Sequence, residues 1–398
     1  MASSATAGVF LGERRVGTLG YLDGNTWFDY EDIAPEHPVL GQGFESNPER
    51  RRTASGSIPK WFANLLPEPG SGLRDLISRE LGRSSPHDFQ VLLFLGEDLP
   101  GAVRVVTESD TSTIPELTKG ADRDRLGNVR FSLAGVQAKF SVRWEGKGLV
   151  LPMSGQGGDW IVKLPDRRFP DVPANEFAML SWARLAGVDV PEIKLFTGAE
   201  LFGLPGGLIA AHELAFAVRR FDRTSGGRVH QEDFAQVREV SVDTKYDNAT
   251  YGGLARVVKA VCPQDIDEYI RRLTTIVVIG NLDAHLKNWT LRYPDGRTAR
   301  LSPAYDFVSV SAYSEFRTEE LAFPVNGGKI AKLVSLDNFR HLANRAELDV
   351  ERVSGVVTQT VTALLDTWPQ VKRDTLVPAF VRDHIDHRLK SLPLVTRR

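Results

Sequence analysis

The sequence predicts an α+β fold in which strand-rich N-terminal and middle regions precede a mostly helical C-terminal region. Three observations lead to this class. Residues 8–30 alternate short apolar runs with polar turns, which is typical of a strand meander. Residues 129–218 are rich in strand-like runs and hold one helical pattern. Residues 220–398 alternate helical periodicities with a polar loop, so we expect helices to dominate there.

Composition limits the class of protein. A chain of 398 residues can form two or three units with substantial cores. No apolar run approaches the roughly 20 residues that cross a bilayer, and the N-terminus lacks the basic start and apolar stretch of a secretory signal. A single cysteine, Cys262, excludes an internal disulfide and a cysteine metal cluster. We therefore expect a cytoplasmic protein without membrane contact.

The net charge of −2 is not that of a dedicated nucleic-acid binder. Two local basic stretches remain, residues 50–52 and the tail from 371 to 398. Solvated surface is the simpler interpretation of both, and contact with phosphate or a partner stays open.

Each region has its own internal pattern. Residues 58–82 have helical spacing, and residues 101–106 close the first region as a strand. Residues 107–128 are polar without periodicity, which favours a linker. In the second region a helix is predicted over residues 174–186, because Gly187 follows it as a stop signal. We therefore predict three domains, residues 1–107, 108–218 and 219–398.

The most informative motif follows an apolar helical pattern at residues 266–279. A polar loop carries Asp283 and Asn288, and a hairpin at residues 289–301 leads to Asp306. Protein kinases use an Asp, an Asn five residues later and a further Asp-Phe as base and magnesium ligands. Phosphoryl transfer needs a carboxylate near the attacking hydroxyl and oxygen ligands for magnesium. A capped helix end with an exposed loop is the simpler alternative.

Further residues fit a nucleotide site. Lys163 lies in an apolar strand pattern before the helix that bears Glu176, as the strand lysine and its helix glutamate do in kinases. A solvent-facing lysine on an edge strand is the alternative. Residues 217–223 fit a hinge between lobes, where adenine would bind backbone. Residues 131–140 contain small residues that let backbone N–H groups approach phosphate, although alone they would read as an ordinary turn.

Together these pieces resemble the HipA family of serine/threonine kinase toxins from bacterial toxin–antitoxin modules, over almost the whole chain. The resemblance implies a bilobal protein-kinase-like (HipA-like) fold. In it, an N-terminal β-rich subdomain precedes an N-lobe-like region with a phosphate-binding loop and a mostly helical C-lobe. The motifs that carry it are Phe62-Ala63-Asn64-Leu65-Leu66-Pro67, Gly101-Ala102-Val103, Ser132-Leu133-Ala134-Gly135-Val136-Gln137-Ala138-Lys139, Val162-Lys163-Leu164-Pro165, Asn175-Glu176, Arg220-Phe221-Asp222-Arg223, Gln231-Glu232-Asp233, Asp283-x-His285-x-Lys287-Asn288 and Tyr305-Asp306.

The resemblance also implies roles for single residues. Asp283 would be the catalytic base, and Asn288 and Asp306 would bind Mg²⁺. Ser132 would be the site of an autophosphorylation that ejects the phosphate loop and switches the kinase off, because phosphoserine adds nearly two negative charges there. ATP would be bound by Ala134, Gly135, Val136, Gln137, Ala138, Lys139, Lys163, Val218, Arg219, Arg220, Phe221, His285 and Lys287.

As a family member, the chain would transfer the ATP γ-phosphate to Ser or Thr of a translation protein. The expected substrate is an aminoacyl-tRNA synthetase such as glutamyl-tRNA synthetase, so that translation and growth stop. The expected partner is a HipB-like helix-turn-helix antitoxin, which would contact operator DNA. Two alternatives stay open: a DNA-bound antitoxin co-repressor subunit, supported in sequence by the basic tail alone, and a kinase of a small molecule or lipid.

One prediction concerns Ser132. After incubation with Mg-ATP the wild-type protein should carry phosphate on Ser132, and mass spectrometry of the loop peptide measures it. The Asp283→Asn variant, treated in the same way, is expected to stay unmodified. A loop without phosphate in the wild-type protein would contradict autoregulation at this serine.

Overall fold

A computed structural model describes residues 4–31, 36–53, 57–108, 139–146, 148–150, 158–204 and 207–397. Of the predicted phosphate loop, Ser132 and residues 134–138 lie outside these ranges, and so does most of the expected linker. None of the helices in the described ranges is long and apolar enough to cross a membrane.

The N-terminal unit is built on the predicted meander. Asp23 and Gly24 both have positive φ, 48° and 83°, and join two strands directly, as two-residue hairpin loops require. The elements are β1 (Ser4–Leu11), β2 (Arg14–Leu22), β3 (Asn25–Tyr30), α1 (Gln42–Ser46), β4 (Arg51–Thr53), α2 (Lys60–Ala63), α3 (Gly72–Glu80), α4 (Asp88–Leu95) and β5 (Val103–Thr107). The strands form one five-stranded sheet in the order β4-β3-β2-β1-β5.

An aromatic cluster fixes α2 on this sheet. The ring of Phe28 packs edge-on against Phe44 and Phe62, with centroids 5.1 and 4.8 Å apart, and Trp61 contacts both of those rings. Such edge-to-face pairs add to the energy of burial and define geometry. Residues that follow α2 are thereby held at a fixed position.

The middle region is a six-stranded sheet with one helix. The elements are β6 (Lys139–Trp144), β7 (Leu149–Val150), β8 (Trp160–Lys163), α5 (Val172–Leu185), β9 (Ile193–Thr197), β10 (Leu201–Phe202) and β11 (Leu214–Arg219). The strand order is β10-β7-β6-β8-β11-β9. Strand β8 has antiparallel neighbours on both sides, and Lys163 lies opposite Lys139 and Phe216. The edge-strand alternative for Lys163 is therefore wrong.

The C-terminal region is mainly helical. Helix α8 has the predicted bounds and ends at Gly280, whose φ of 69° is the left-handed conformation that stops helices. The elements are β12 (Arg223–Thr224), β13 (Gly227–Arg228), β14 (His230–Asp233), α6 (Phe234–Val237), α7 (Tyr251–Val261), α8 (Ile266–Ile279), β15 (Thr290–Tyr293), β16 (Arg300–Leu301), α9 (Leu336–Arg345), α10 (Val350–Asp374), α11 (Ala379–Ser391) and α12 (Pro393–Thr396).

Two hydrophobic cores share the middle sheet. Along β11, Ala215 and Ala217 face the core of the N-terminal unit, whereas Phe216 and Val218 face the core of α5 and the C-terminal helices. Successive residues of a strand point to opposite faces, so both faces of this sheet are buried. The three regions meet around a cavity.

Buried polar contacts also attach the N-terminal unit to the rest. The carboxylate of Asp222 is paired with Arg220 and accepts the N–H of Gly101 at 2.8 Å. Burial disfavours this carboxylate, but the neighbouring arginines hold its pKa below the ordinary value. Glu232 accepts the indole N–H of Trp61 at 3.1 Å, and its burial raises its pKa to about 7.

Candidate active site

A cavity of about 640 Å³ opens between the three regions. All the predicted site residues that the structure describes line it, although the sequence spreads them over 168 positions from Lys139 to Asp306. They are Lys139, Lys163, Val218, Arg219, Arg220, Phe221, Asp283, His285, Lys287, Asn288 and Asp306. The role of each stays a prediction, whereas their convergence is a property of the fold.

The Lys163 ammonium is the central cation of the cavity. It lies 2.5 Å from the carboxylate of Glu176 on α5 and also contacts the carboxylate of Asp306. The side chains of Lys163 and Glu176 are both buried. Burial lowers the pKa of Lys163 to about 8, against the attraction of Glu176. The predicted lysine–glutamate pair is thus formed, and its cation is charged at neutral pH.

Asp306 joins two lysines and has an unusual backbone. Its carboxylate contacts Lys163 and lies 3.7 Å from the Lys139 ammonium. Its φ is 57°, a left-handed conformation that costs energy in a non-glycine residue. The side-chain amide of Asn281 donates to the carbonyl oxygen of Asp306 at 2.9 Å, which stabilises this turn. Asn281 was not among the predicted residues.

The loop that carries Asp283 is closed by its own side chains. Asn281 accepts the backbone N–H of Asp283 at 3.1 Å, and the Asn288 amide nitrogen donates to the carbonyl of Asp283 at 2.8 Å. The Asp283 side chain keeps contact with solvent, but the protein around its carboxyl group desolvates it and raises its pKa. The hydroxyl of Tyr246 donates to this carboxylate and opposes the shift.

His285 and Lys287 are buried in the same loop. Burial holds the pKa of His285 well below the ordinary value, so the ring is neutral at pH 7. The ammonium of Lys287 donates to the carbonyl of Asn64 at 2.7 Å and lies 3.6 Å from Asp233. Lys287 therefore connects the loop to the N-terminal unit, a contact that its predicted role in nucleotide binding did not include.

The expected hinge lines the cavity, but its amides are partly occupied. The N–H of Arg219 donates to the carbonyl of Glu192, and the N–H of Arg220 donates to that of Asp159, both at 2.8 Å. The Arg220 side chain is buried and paired with Asp222. These two amides are thus not free to bind adenine in this arrangement, since neighbouring segments already use them. Phe221 lines the cavity, with its ring centroid 5.8 Å from that of Tyr305.

Sequence reasoning also missed residues from distant segments. Glu68 of the N-terminal unit pairs with Lys245 at 2.7 Å, and both line the cavity beside Tyr246. The matching Asn64 motif indicated the family but gave no sign that this segment reaches the loop of Asp283. Nothing in the local pattern of residues 242–248 distinguishes them from an ordinary surface turn.

The basic tail carries fewer free charges than its sequence suggests. Arg388 is buried against Glu319 and donates to the carbonyls of Val277 and Val278 at the end of α8. Lys372 pairs with Asp386 at 2.9 Å. These contacts stabilise the helical region, so they weaken the sequence support for a DNA-bound co-repressor role.

The fold and the site define a bilobal protein of the kinase-like class. Residues 7–106 match the HipA N-terminal domain, and residues 131–368 match the HipA-like C-terminal domain. The chain belongs to the HipA family. The predicted family and the predicted α+β, kinase-like fold are confirmed.

Individual relatives agree with this assignment. The chain is 42% identical to the kinase-designated protein Y4dM of Sinorhizobium fredii, over 95% of each sequence. It is 28% identical to Y4mE of the same organism, over 91% of this chain and 88% of that protein. The solved structure of Shewanella oneidensis HipA, in complex with HipB and operator DNA, is similar with a TM-score of 0.73. That likeness covers 97% of this chain and 96% of the other at 20% identity, and it bears on the fold.

One prediction tests the buried pair. Lys163→Met should destabilise the protein by about 3–5 kcal/mol, because it leaves the buried carboxylate of Glu176 without its partner. Adding Glu176→Gln should recover part of that loss. Urea unfolding measures both. Lys259→Met is the control, since its pair with Glu347 is exposed and should matter by at most about 1 kcal/mol. If Lys163→Met and Lys259→Met lowered the free energy of unfolding by the same amount, the structural importance of the buried Lys163–Glu176 pair would be contradicted.

Proposed function

We propose that the chain is an ATP-dependent serine/threonine protein kinase that acts as the toxin of a HipA–HipB-type toxin–antitoxin system. One observation carries the proposal. The Lys163 ammonium contacts both Glu176 and Asp306 inside the same cavity that Asp283 lines. Kinases use this combination of a paired lysine, a metal-binding aspartate and a base.

Two lysines equip the inner cavity for phosphate. The ammonium groups of Lys139 and Lys163 both reach Asp306, so a single carboxylate is shared between two cations. Burial lowers the pKa of each lysine, which means that each gains from an additional anion nearby. Phosphate oxygens would supply that anion, and because both lysine side chains are largely buried the attraction would be strong.

Asp283 supplies the proton acceptor. Its carboxyl group keeps contact with solvent at the cavity, so an acceptor hydroxyl can reach it. Its raised pKa makes it a stronger base than an ordinary surface aspartate. The loop around it is held by Asn281 and Asn288, which limits the movement of the carboxylate. We assign Asp283 the removal of the proton from the Ser or Thr hydroxyl.

The metal donors fit magnesium. Within the described ranges no cluster of three His, Cys, Asp or Glu side chains forms a metal cage. Magnesium usually takes one or two protein oxygens and completes its shell with phosphate and water. Asn288 uses its amide nitrogen toward Asp283, so its oxygen remains available as a ligand, and the carboxylate of Asp306 lines the same cavity. Magnesium bound with ATP would neutralise charge on the phosphates.

The substrate and partners rest on the family. Shewanella oneidensis HipA forms a complex with HipB and operator DNA. By analogy we propose a HipB-like helix-turn-helix antitoxin as partner, and operator DNA bound through it. The proposed substrate is an aminoacyl-tRNA synthetase, such as glutamyl-tRNA synthetase, in the cytoplasm. Phosphorylation of Ser132 would switch the kinase off.

A substitution of Asp283 tests the proposed phosphoryl transfer. Asp283→Asn should abolish transfer of labelled phosphate from ATP to protein in a whole-cell lysate, because the amide cannot take the proton. The label is followed by electrophoresis and, in parallel, in the small-molecule and lipid fractions. A labelled protein band supports a protein kinase, and its identification names the substrate.

The control for this experiment is Asp337→Asn. Asp337 is exposed on α9 and pairs with Arg340, so its loss should leave labelling unchanged. Both variants are checked for folding by circular dichroism. Undiminished labelling by Asp283→Asn would contradict the proposal, and label confined to small molecules or lipids would replace its substrate class.

The affinity for nucleotide is expected to depend on pH. Lys163 is protonated below its pKa of about 8 and neutral above it, and the charged form attracts phosphate. Affinity for a non-hydrolysable ATP analogue should therefore fall about tenfold between pH 7 and pH 9. Isothermal titration calorimetry measures it. Lys163→Arg keeps its charge over this range and should show a flatter profile. Parallel profiles for the two proteins would contradict the role of Lys163.

A further inference from the structure

The hydroxyl of Tyr246 already donates a hydrogen bond to the carboxylate of Asp283, where a substrate hydroxyl would have to donate one. Tyr246 follows a short 3-10 turn at Val242–Thr244, and its hydroxyl donates to the Oδ1 atom of Asp283. Its contact with Asp283 spans 37 positions of the chain and is made only by the fold.

The tyrosine side chain is partly exposed. It is 40% exposed and lies outside both hydrophobic cores. One edge contacts the ring of His285, with centroids 5.0 Å apart and planes 81° apart. The Lys245 ammonium lies 5.5 Å from the ring centroid. An exposed ring of this kind can turn about its own side-chain bonds without opening a core.

The backbone beneath the ring is held more firmly. The side chain of Lys245 pairs with Glu68 of the N-terminal unit at 2.7 Å, and both side chains are largely buried. The carbonyl of Lys245 accepts the N–H of Leu286 at 3.4 Å. Movement of the Tyr246 hydroxyl away from Asp283 therefore falls to the side chain, while its attachment point stays beside the loop.

The chemistry of the contact matches that of an acceptor. A Ser or Thr hydroxyl must donate a hydrogen bond to the base before its oxygen attacks phosphate. The Tyr246 hydroxyl is the same kind of donor. Although the residue is 40% exposed, the protein around its hydroxyl desolvates that group. This effect, followed by the charge of Asp283, raises the pKa of Tyr246 well above its usual range, so the phenol keeps its proton at physiological pH. It occupies the base without reacting with it.

We propose that Tyr246 gates the acceptor side of the site: its hydroxyl occupies Asp283 until a substrate hydroxyl displaces it. This inference rests on the proposed kinase function. Every productive substrate then has to compete with an internal hydrogen bond to a carboxylate. Such competition weakens the apparent affinity for the substrate, because only the molecules in which Asp283 is free of Tyr246 can bind it productively. Substrates that bind well elsewhere on the protein overcome it, and stray hydroxyls do not.

The test compares Tyr246→Phe with the wild-type protein. The initial rate of labelled phosphate incorporation is measured against the concentration of lysate protein at saturating Mg-ATP. Removing the hydroxyl should lower the half-saturating lysate concentration about tenfold, the effect of losing one hydrogen bond to a charged group. The maximal rate should not fall. Tyr30→Phe is the matched control. The hydroxyl of Tyr30 donates the same kind of hydrogen bond to the carboxylate of Glu45, at 2.6 Å, and Tyr30 does not line the cavity.

The other outcomes overturn the gate in different ways. A lower maximal rate with unchanged half-saturation would mean that Tyr246 orients Asp283. Unchanged kinetics would mean that the contact is incidental. Phosphate on Tyr246 of the wild-type protein, sought by mass spectrometry, would make it an acceptor. Failure of the wild-type protein to label any lysate protein would overturn the kinase proposal and the gate with it, which distinguishes that failure from the other three.

Discussion

The buried ammonium of Lys163 is the interaction on which the arrangement of the site depends. A charge without solvent is costly unless carboxylates lie beside it, and here Glu176 and Asp306 supply them. This requirement fixes α5 against β8 and brings the segment after the β15–β16 hairpin to the same point. Three parts of the chain are thereby positioned by one cation.

The middle sheet packs against both of the other regions. Because β11 presents alternate residues to two cores, the N-terminal unit and the helical region pack on opposite faces of the same strands. Residues of both line the cavity, together with residues of the middle sheet. A residue from the N-terminal unit, Glu68, pairs with Lys245, next to Tyr246. The N-terminal unit is thus part of the site as well as of the fold.

Local patterns predicted the local features well. The bounds of α8 follow from apolar spacing and a terminal glycine, and the hairpin before Asp306 follows from Pro294-Asp295-Gly296. The Lys163–Glu176 pair also formed as expected. Features that arise from distant contacts could not be predicted. Tyr246 meets Asp283 only in the folded chain, and the carbonyl of Asp306, whose backbone is left-handed, accepts a hydrogen bond from Asn281, 25 positions away.

The contact between Lys287 and Asn64 limits which truncations or exchanges of the N-terminal unit the folded protein can tolerate. A shortened chain without the N-terminal unit would lose the carbonyl that receives the Lys287 ammonium, and would uncover one face of the middle sheet. Fusion or exchange of the N-terminal unit would have to preserve the same carbonyl at the same place. The N-terminal unit and the loop that carries Asp283 are therefore expected to change together, although more than 200 positions separate the two contacting residues.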